Sequence, residues 1–238
     1  MTLRGDGVKA RALRAAFPRT VPILAGFLFL GMAYGVYMHV LGFSFWYPVV
    51  MAVVIFGGSL EFVAGTLLLS PFAPVQAFFI ALMIQARHLF YGLSMLEKYK
   101  GLGAKRIYLI YGLCDETFSI AYTTRLPQDV DRGWFYFFVT LLHQLYWVAG
   151  TALGSLVGGL MSFDTAGLGF VMTAMFVVIF LEQFLHEKQH ISAAVGFLAA
   201  GVCLFFFGAD DFLIPTMALI LLFLTALRRP IARKGGFR

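Results

Sequence analysis

The sequence predicts an all-α, polytopic integral membrane protein of about 6–8 transmembrane segments, some of them broken or re-entrant. Three observations carry that expectation. Of the 238 residues, 61% are hydrophobic, 27 are Phe and only 13% are charged, a balance with which a soluble domain could not cover its surface. Eight apolar runs follow one another at residues 20–40, 46–69, 75–96, 107–123, 134–161, 167–185, 191–208 and 212–227. The net charge of +6 gathers at the ends, in Arg4, Lys9, Arg11, Arg14 and Arg19 and in Arg228, Arg229, Arg233, Lys234 and Arg238. Basic ends of that kind mark cytoplasmic termini and not a nucleic-acid surface. The expected organisation is a single membrane domain over 1–238, with basic tails at 1–19 and 228–238 around a bundle at 20–227.

The first run lacks a small-residue cleavage site and is too long for a signal-peptide core, so it reads as retained. Cys114 and Cys203 both fall inside apolar runs, which suits buried thiols and not a disulfide framework.

The second run contains the least span-like stretch of the chain, Phe56-Gly57-Gly58-Ser59-Leu60-Glu61-Phe62. A carboxylate at the centre of a membrane helix costs roughly 2.5–3.5 kcal/mol on insertion scales. The glycine pair loosens the backbone at the same level, and N–H groups freed at such a break can face an anion. The reading is a binding site at a broken helix; the alternative is a packing glycine pair with Glu61 hydrogen-bonded to a neighbouring helix.

The third run is interrupted by Gln85-Ala86-Arg87-His88. Arg87 can neutralise Glu61 or meet a substrate carboxylate through its planar fork, and His88 can exchange a proton near neutral pH. Snorkelling of Arg87 to the interface is the alternative. The loop that follows carries Lys98, Lys100, Lys105 and Arg106 and belongs on the cytoplasmic side. Full crossing by all three preceding runs would place it outside. The conflict disappears if one run on each side of the loop fails to cross. The glycine-pair run is the candidate before it, and the sixth run, ending Leu181-Glu182-Gln183-Phe184, is the candidate after it. The balanced loop 125–132 and the Asp210-Asp211 turn then fall outside. Gly31-x-x-x-Gly35 in the first run and Gly154-x-x-x-Gly158 in the fifth suggest a repeat whose two copies run in opposite directions.

Cys114-Asp115-Glu116-Thr117 lies near the middle of the fourth run. Either acid can carry a proton, or the run is itself broken there with the acids at a half-helix N-terminus. In the fifth run, Gly150, Gly154 and Gly158 form a flat face for close helix approach, internally or against a second membrane protein. His143 reads as a core histidine. His186-Glu187-Lys188-Gln189-His190 matches a zinc-binding H-E-x-x-H helix, which makes an intramembrane zinc hydrolase the alternative from the enzyme class. It lacks an evident third ligand, so neither a metal nor a cofactor is expected.

The chain resembles the AzlC family of branched-chain amino acid permeases over essentially its whole length. The resemblance rests on Phe56 to Phe62, on Ala86-Arg87-His88-Leu89-Phe90-Tyr91-Gly92, on Asp115-Glu116-Thr117-Phe118, and on Gly167-Leu168-Gly169-Phe170 with Thr173-Ala174-Met175-Phe176. It implies a non-enzymatic exporter of branched-chain and similar apolar amino acids in a bacterial inner membrane, working with a small AzlD-type membrane subunit. The substrate would then meet Gly57, Gly58, Ser59, Glu61, Phe62 and Arg87, and His88, Asp115 or Glu116 would carry a coupling proton. The family usually carries Gln at the position of Glu61 and Asp at that of Gly169. An acid at position 61 favours the ammonium end of an amino acid, or a more cationic substrate.

Overall fold

The computed structural model describes residues 7–160 and 190–212, with further single positions between 177 and 226. The sixth run, His186 to Gln189 and the C-terminal tail lie wholly or largely outside the described residues. The described elements are helical: α1 (Val8–Val40), α2 (Trp46–Val54), α3 (Ser59–Leu69), α4 (Pro74–Ile84), α5 (Ala86–Met95), α6 (Lys105–Tyr111), α7 (Asp115–Thr123), α8 (Arg132–Leu160) and α9 (Ile191–Asp211). The chain divides into two compact units, Met1–Val171 and Met172–Arg238. In the second, α9 is kinked at Gly208, where φ is +75°.

Among the described residues two helices, α1 and α8, are long and apolar enough to cross a bilayer, and the bent pair α4–α5 is long and apolar enough only when its two helices are taken together, as a broken span or a re-entrant loop. α1 begins at Val8 and not at Thr20. Ala12, Ala16 and Thr20 are buried, so one small-residue face of the basic stretch continues the packed helix while its Arg and Lys residues lie on the others.

The broadest helix pairing joins α1 to α8, and it depends on glycines from both. A Cβ on Gly31 would lie 2.8 Å from the Trp147 carbonyl oxygen, and one on Gly150 would lie 2.7 Å from that of Leu28. Gly35 faces the backbone of Thr151 and Ser155, Gly154 faces that of Met32, and Gly158 faces the His39 ring. Backbones can approach this closely only where no side chain intervenes. The Gly150, Gly154 and Gly158 face is therefore filled by α1, and it is not available to a separate subunit.

These contacts also set direction. Phe27 meets His143, Gly31 meets Trp147, Met32 meets Gly154 and His39 meets Gly158, so α1 and α8 run parallel. The two glycine-bearing helices are thus not inverted copies. Inversion appears elsewhere, in two helix pairs that enter from opposite ends of the α1–α8 pair.

From the C-terminal end of α1, α2 descends until the Val53 carbonyl meets the Gln144 amide at 3.1 Å. α3 then returns: Glu61 lies at Trp147, Phe62 packs on Tyr34 and Tyr37, and Gly65 reaches Met38 and Leu41. The glycine-pair run is therefore re-entrant in its path. From the other end, Lys105 lies over the Trp134 ring at 4.2 Å, and Lys9 lies over the same ring at 4.5 Å. α6 rises to Gly112 beside Thr140. α7 comes back to the same end, where the Lys98 ammonium donates to the Ala121 and Tyr122 carbonyls at 2.8 and 2.6 Å. A cation on exposed C-terminal carbonyls is the favourable arrangement for a helix end.

This corrects the expected topology. Loop 125–132 does not lie opposite the basic loop; the Arg132 guanidinium donates to the Lys100 carbonyl at 3.1 Å, and both loops sit at the end that holds Lys9. The fourth run is a second re-entrant pair. Cysteines introduced at Gly101 and at Asp129 are expected to react with an impermeant maleimide from the same face of the membrane, measured against the parent chain. Labelling from opposite faces would mean that α6–α7 crosses.

Candidate functional site

Three helix interruptions meet at mid-depth of the first unit. At the α2–α3 break, Gly58 has φ +46° and Phe56 has φ +43°, a left-handed turn that costs a non-glycine residue about 1–3 kcal/mol and persists where surroundings dictate it. The carbonyls that α2 cannot satisfy are taken by side chains. Val53 accepts from Gln144 and from the Tyr111 hydroxyl, and Gly57 accepts from the Gln85 amide at 3.3 Å. The Tyr108 hydroxyl donates in turn to Gln144 Oε1 at 2.7 Å, which fixes the amide's orientation.

Glu61 is fully buried, at 0% exposure. It occupies the first turn of α3, and its carboxylate reaches back over the break. Oε1 accepts from the Gly57 N–H at 2.9 Å and from Trp147 Nε1 at 3.0 Å, while Oε2 accepts from Trp147 at 3.1 Å. The N–H groups of Leu60, Glu61 and Phe62 bond back to Gly57 and Gly58 carbonyls. This break is closed by its own residues, with Ser59 in the first turn and Phe62 buried against α1.

Arg87 does not pair with Glu61. Its guanidinium lies 2.9 Å from Asp115 Oδ2, with the two side chains 38% and 32% exposed. The reason lies in the helix ends: the α4–α5 pair bends by 54° at Gln85, which points Gln85 at the α2–α3 break and Arg87 at the α6–α7 break. Asp115 and Glu116 start α7, as one of the two sequence readings expected. Cys114 is the cap residue, and its N–H donates to Thr117 Oγ1 at 2.8 Å.

Around this junction several buried polar atoms have no partner: Gln85 Oε1, Arg87 Nε, His88 Nδ1 and Asp115 Oδ1. They comprise two acceptors, a cationic donor and an imidazole nitrogen. From them a ladder of rings runs down the α5–α7 seam: His88 on Tyr91 at 5.7 Å, Tyr91 on Phe118 at 4.5 Å, and Phe118 on Tyr122 at 5.2 Å. Sequence reasoning found the three breaks but missed Trp147, Gln144 and Tyr111, which look like ordinary interfacial or lipid-facing residues until their partners are known. His143 is a core residue, as expected, although both of its ring nitrogens lack partners. No group of three His, Cys, Asp or Glu able to hold a metal occurs among the described residues. His186 and Glu187 of the zinc alternative lie outside them, and nothing supports that reading.

Parallel long helices, broken half-helices meeting at mid-depth and a polar junction inside an apolar bundle define a polytopic membrane protein with a buried polar site. The comparisons place it further. The family model described as AzlC protein matches residues 22–161, and the chain belongs to that family. It is 57% identical over 222 residues to the branched-chain amino acid transport protein AzlC of Bacillus subtilis, covering 93% of this chain and 87% of the relative. A membrane protein of Haemophilus influenzae is 50% identical over 215 residues, 90% of this chain and 88% of its own. The inner membrane protein YgaZ of Escherichia coli is 29% identical over 198 residues, 78% of this chain and 79% of its own. No solved structure matches.

Proposed function

We propose that the protein exports branched-chain or similar apolar amino acids across a bacterial inner membrane in exchange for protons, together with a small AzlD-type membrane subunit. The observation that carries this reading is the set of unpartnered polar atoms of opposite character at the junction of the three breaks. An α-amino acid presents an ammonium and a carboxylate a few ångströms apart. Asp115 Oδ1 and Gln85 Oε1 suit the ammonium, which can only donate; Arg87 suits the carboxylate, which can only accept. A buried polar group without a partner costs about 1–3 kcal/mol, so a ligand that supplies the missing bonds gains what the empty site loses.

The ring ladder beside the junction gives an apolar side chain a surface to lie on, in keeping with the name of the Bacillus relative. Gly57, Gly58, Ser59, Glu61 and Phe62, the expected substrate-binding stretch, form the wall of the site that holds Gln85 in place. His88, Asp115 and Glu116, the sequence candidates for carrying a proton, relay it at the junction. Both termini are cytoplasmic, and the partner docks away from the glycine face.

The test is efflux of labelled valine, leucine and lysine from cells expressing this chain, with and without the small subunit. Partner-dependent efflux of valine and leucine that collapses with a protonophore is the expected result. Lysine efflux in their place would overturn the substrate class, and efflux of none of the three, with folded protein present, would overturn the transport reading.

A further inference from the structure

We infer that Glu61 is a proton-binding site, and that its proton is the one exchanged for substrate; the second half of this rests on the transport reading above. The geometry isolates Glu61 from any counter-charge. The groups bonded to its carboxylate are neutral N–H donors, from Gly57, Gly58 and Trp147. Arg87, a cation at the same level, is committed to Asp115.

The titratable groups on the helices packed around Glu61 carry no charge to offer. Tyr34 and Tyr37 come from α1, and the Tyr34 hydroxyl donates to Met51 Sδ at 3.6 Å. Tyr111 comes from α6 and donates to the Val53 carbonyl. His143, one turn from Trp147 on α8, faces Phe27 and Tyr146. Gln85, at the α4–α5 bend, is neutral.

A lone carboxylate in the apolar interior has two ways to exist: as an anion held by donors, or as a neutral acid that has bound a proton. Asp115 needs no proton because Arg87 neutralises it. Glu61 has no such partner, and its donor contacts make its anion tolerable without cancelling its charge. Oε1 accepts from Gly57 and from Trp147, and Oε2 accepts from Trp147. A proton arriving from water adds to one carboxylate oxygen, forming one O–H bond and loosening a donor contact to that oxygen.

The break also supplies a route from this proton to the substrate. Glu61 holds the Gly57 N–H, the Gly57 carbonyl holds the Gln85 amide, and the Oε1 of that amide is buried without a partner. A change of charge on Glu61 acts on the group that receives the substrate ammonium, through two hydrogen bonds.

The experiment is pH-difference infrared spectroscopy of the purified chain in lipid, comparing wild type with Glu61→Gln. The expected result is a carboxylic-acid C=O band that grows as pH falls in wild type and is lost in the variant. Identical difference spectra would overturn the site. Trp147→Phe removes a donor from both oxygens and is expected to shift the midpoint of the same band along the pH axis; an unmoved midpoint would count equally against it. For the coupling, protons moved per valine are measured in proteoliposomes, and an unchanged ratio in Glu61→Gln would overturn that half. Absence of valine movement in wild type would instead sink the transport reading, while the infrared band still decides the site.

Discussion

Arg87→Ala is expected to lower amino-acid flux by roughly 10- to 150-fold while leaving the amount of folded protein in the membrane unchanged. The magnitude follows from what is lost: a charge-assisted hydrogen bond to the substrate carboxylate is worth about 1.5–3 kcal/mol, and a factor of ten corresponds to about 1.4 kcal/mol. Removal of Arg87 also leaves Asp115 as an unpaired carboxylate at mid-depth, free to seize the substrate ammonium without the opposing contact that orients it. The fold should survive, because the glycine seam between α1 and α8 that holds the first unit does not include this pair. Arg87→Lys keeps the charge but loses the fork, and is expected to retain about a tenth of the flux. The informative variant is the exchange Arg87→Asp with Asp115→Arg. If the pair served only to fasten α5 to α7, the exchange would restore flux. If the pair reads the two ends of an amino acid, the exchange reverses the polarity of the site and flux stays lost. Uptake and efflux of labelled valine in proteoliposomes decide between them.

The three breaks were legible because each carries residues that a plain span would not tolerate: Gly57 and Gly58, Gln85 beside Arg87, and Asp115 beside Glu116. Their pairing was not legible. Arg87 could reach either Glu61 or Asp115 as far as spacing goes, and only the bend at Gln85 decides which. Trp147 closes over Glu61 from 86 positions away, a distance across which no local pattern carries information. Topology failed at one place for an electrostatic reason. Loop 125–132 contains Arg125 and Arg132 against Asp129 and Asp131, so its charges cancel and the positive-inside rule has nothing to read. The glycine repeat misled for a geometric one. Spacing of four residues marks a flat helix face, but the same face serves parallel and antiparallel neighbours alike. The structure uses both copies against each other, and the opposed elements are the re-entrant pairs α2–α3 and α6–α7.

Gly154→Leu is expected to cost the folded state outright. A Cβ at this position would fall among the backbone atoms of Met32, which unlike a side-chain tip cannot rotate aside. Overpacking of a tight core typically costs 1–3 kcal/mol, and a clash with helix backbone belongs beyond the upper end of that range. Relief requires α1 to move away from α8, and that movement would also unseat the contacts of Gly31, Gly35, Gly150 and Gly158 along the same seam. It would carry further, because α3 and Trp147 are positioned from opposite sides of this pair: Phe62 rests on Tyr34 and Tyr37 of α1, while Trp147 belongs to α8. Separation of the helices therefore also opens the α2–α3 break. Gly159→Leu is the control on the same helix, since a Cβ there would meet only the His39 ring at 3.7 Å. Fluorescence-detected size-exclusion of the detergent-solubilised chains measures the outcome. The Gly154 variant should give no monodisperse peak and the Gly159 variant should match wild type. A monodisperse, thermally unaltered Gly154→Leu protein would mean that α1 and α8 do not touch along this face, and the parallel arrangement that places every break would fall with it.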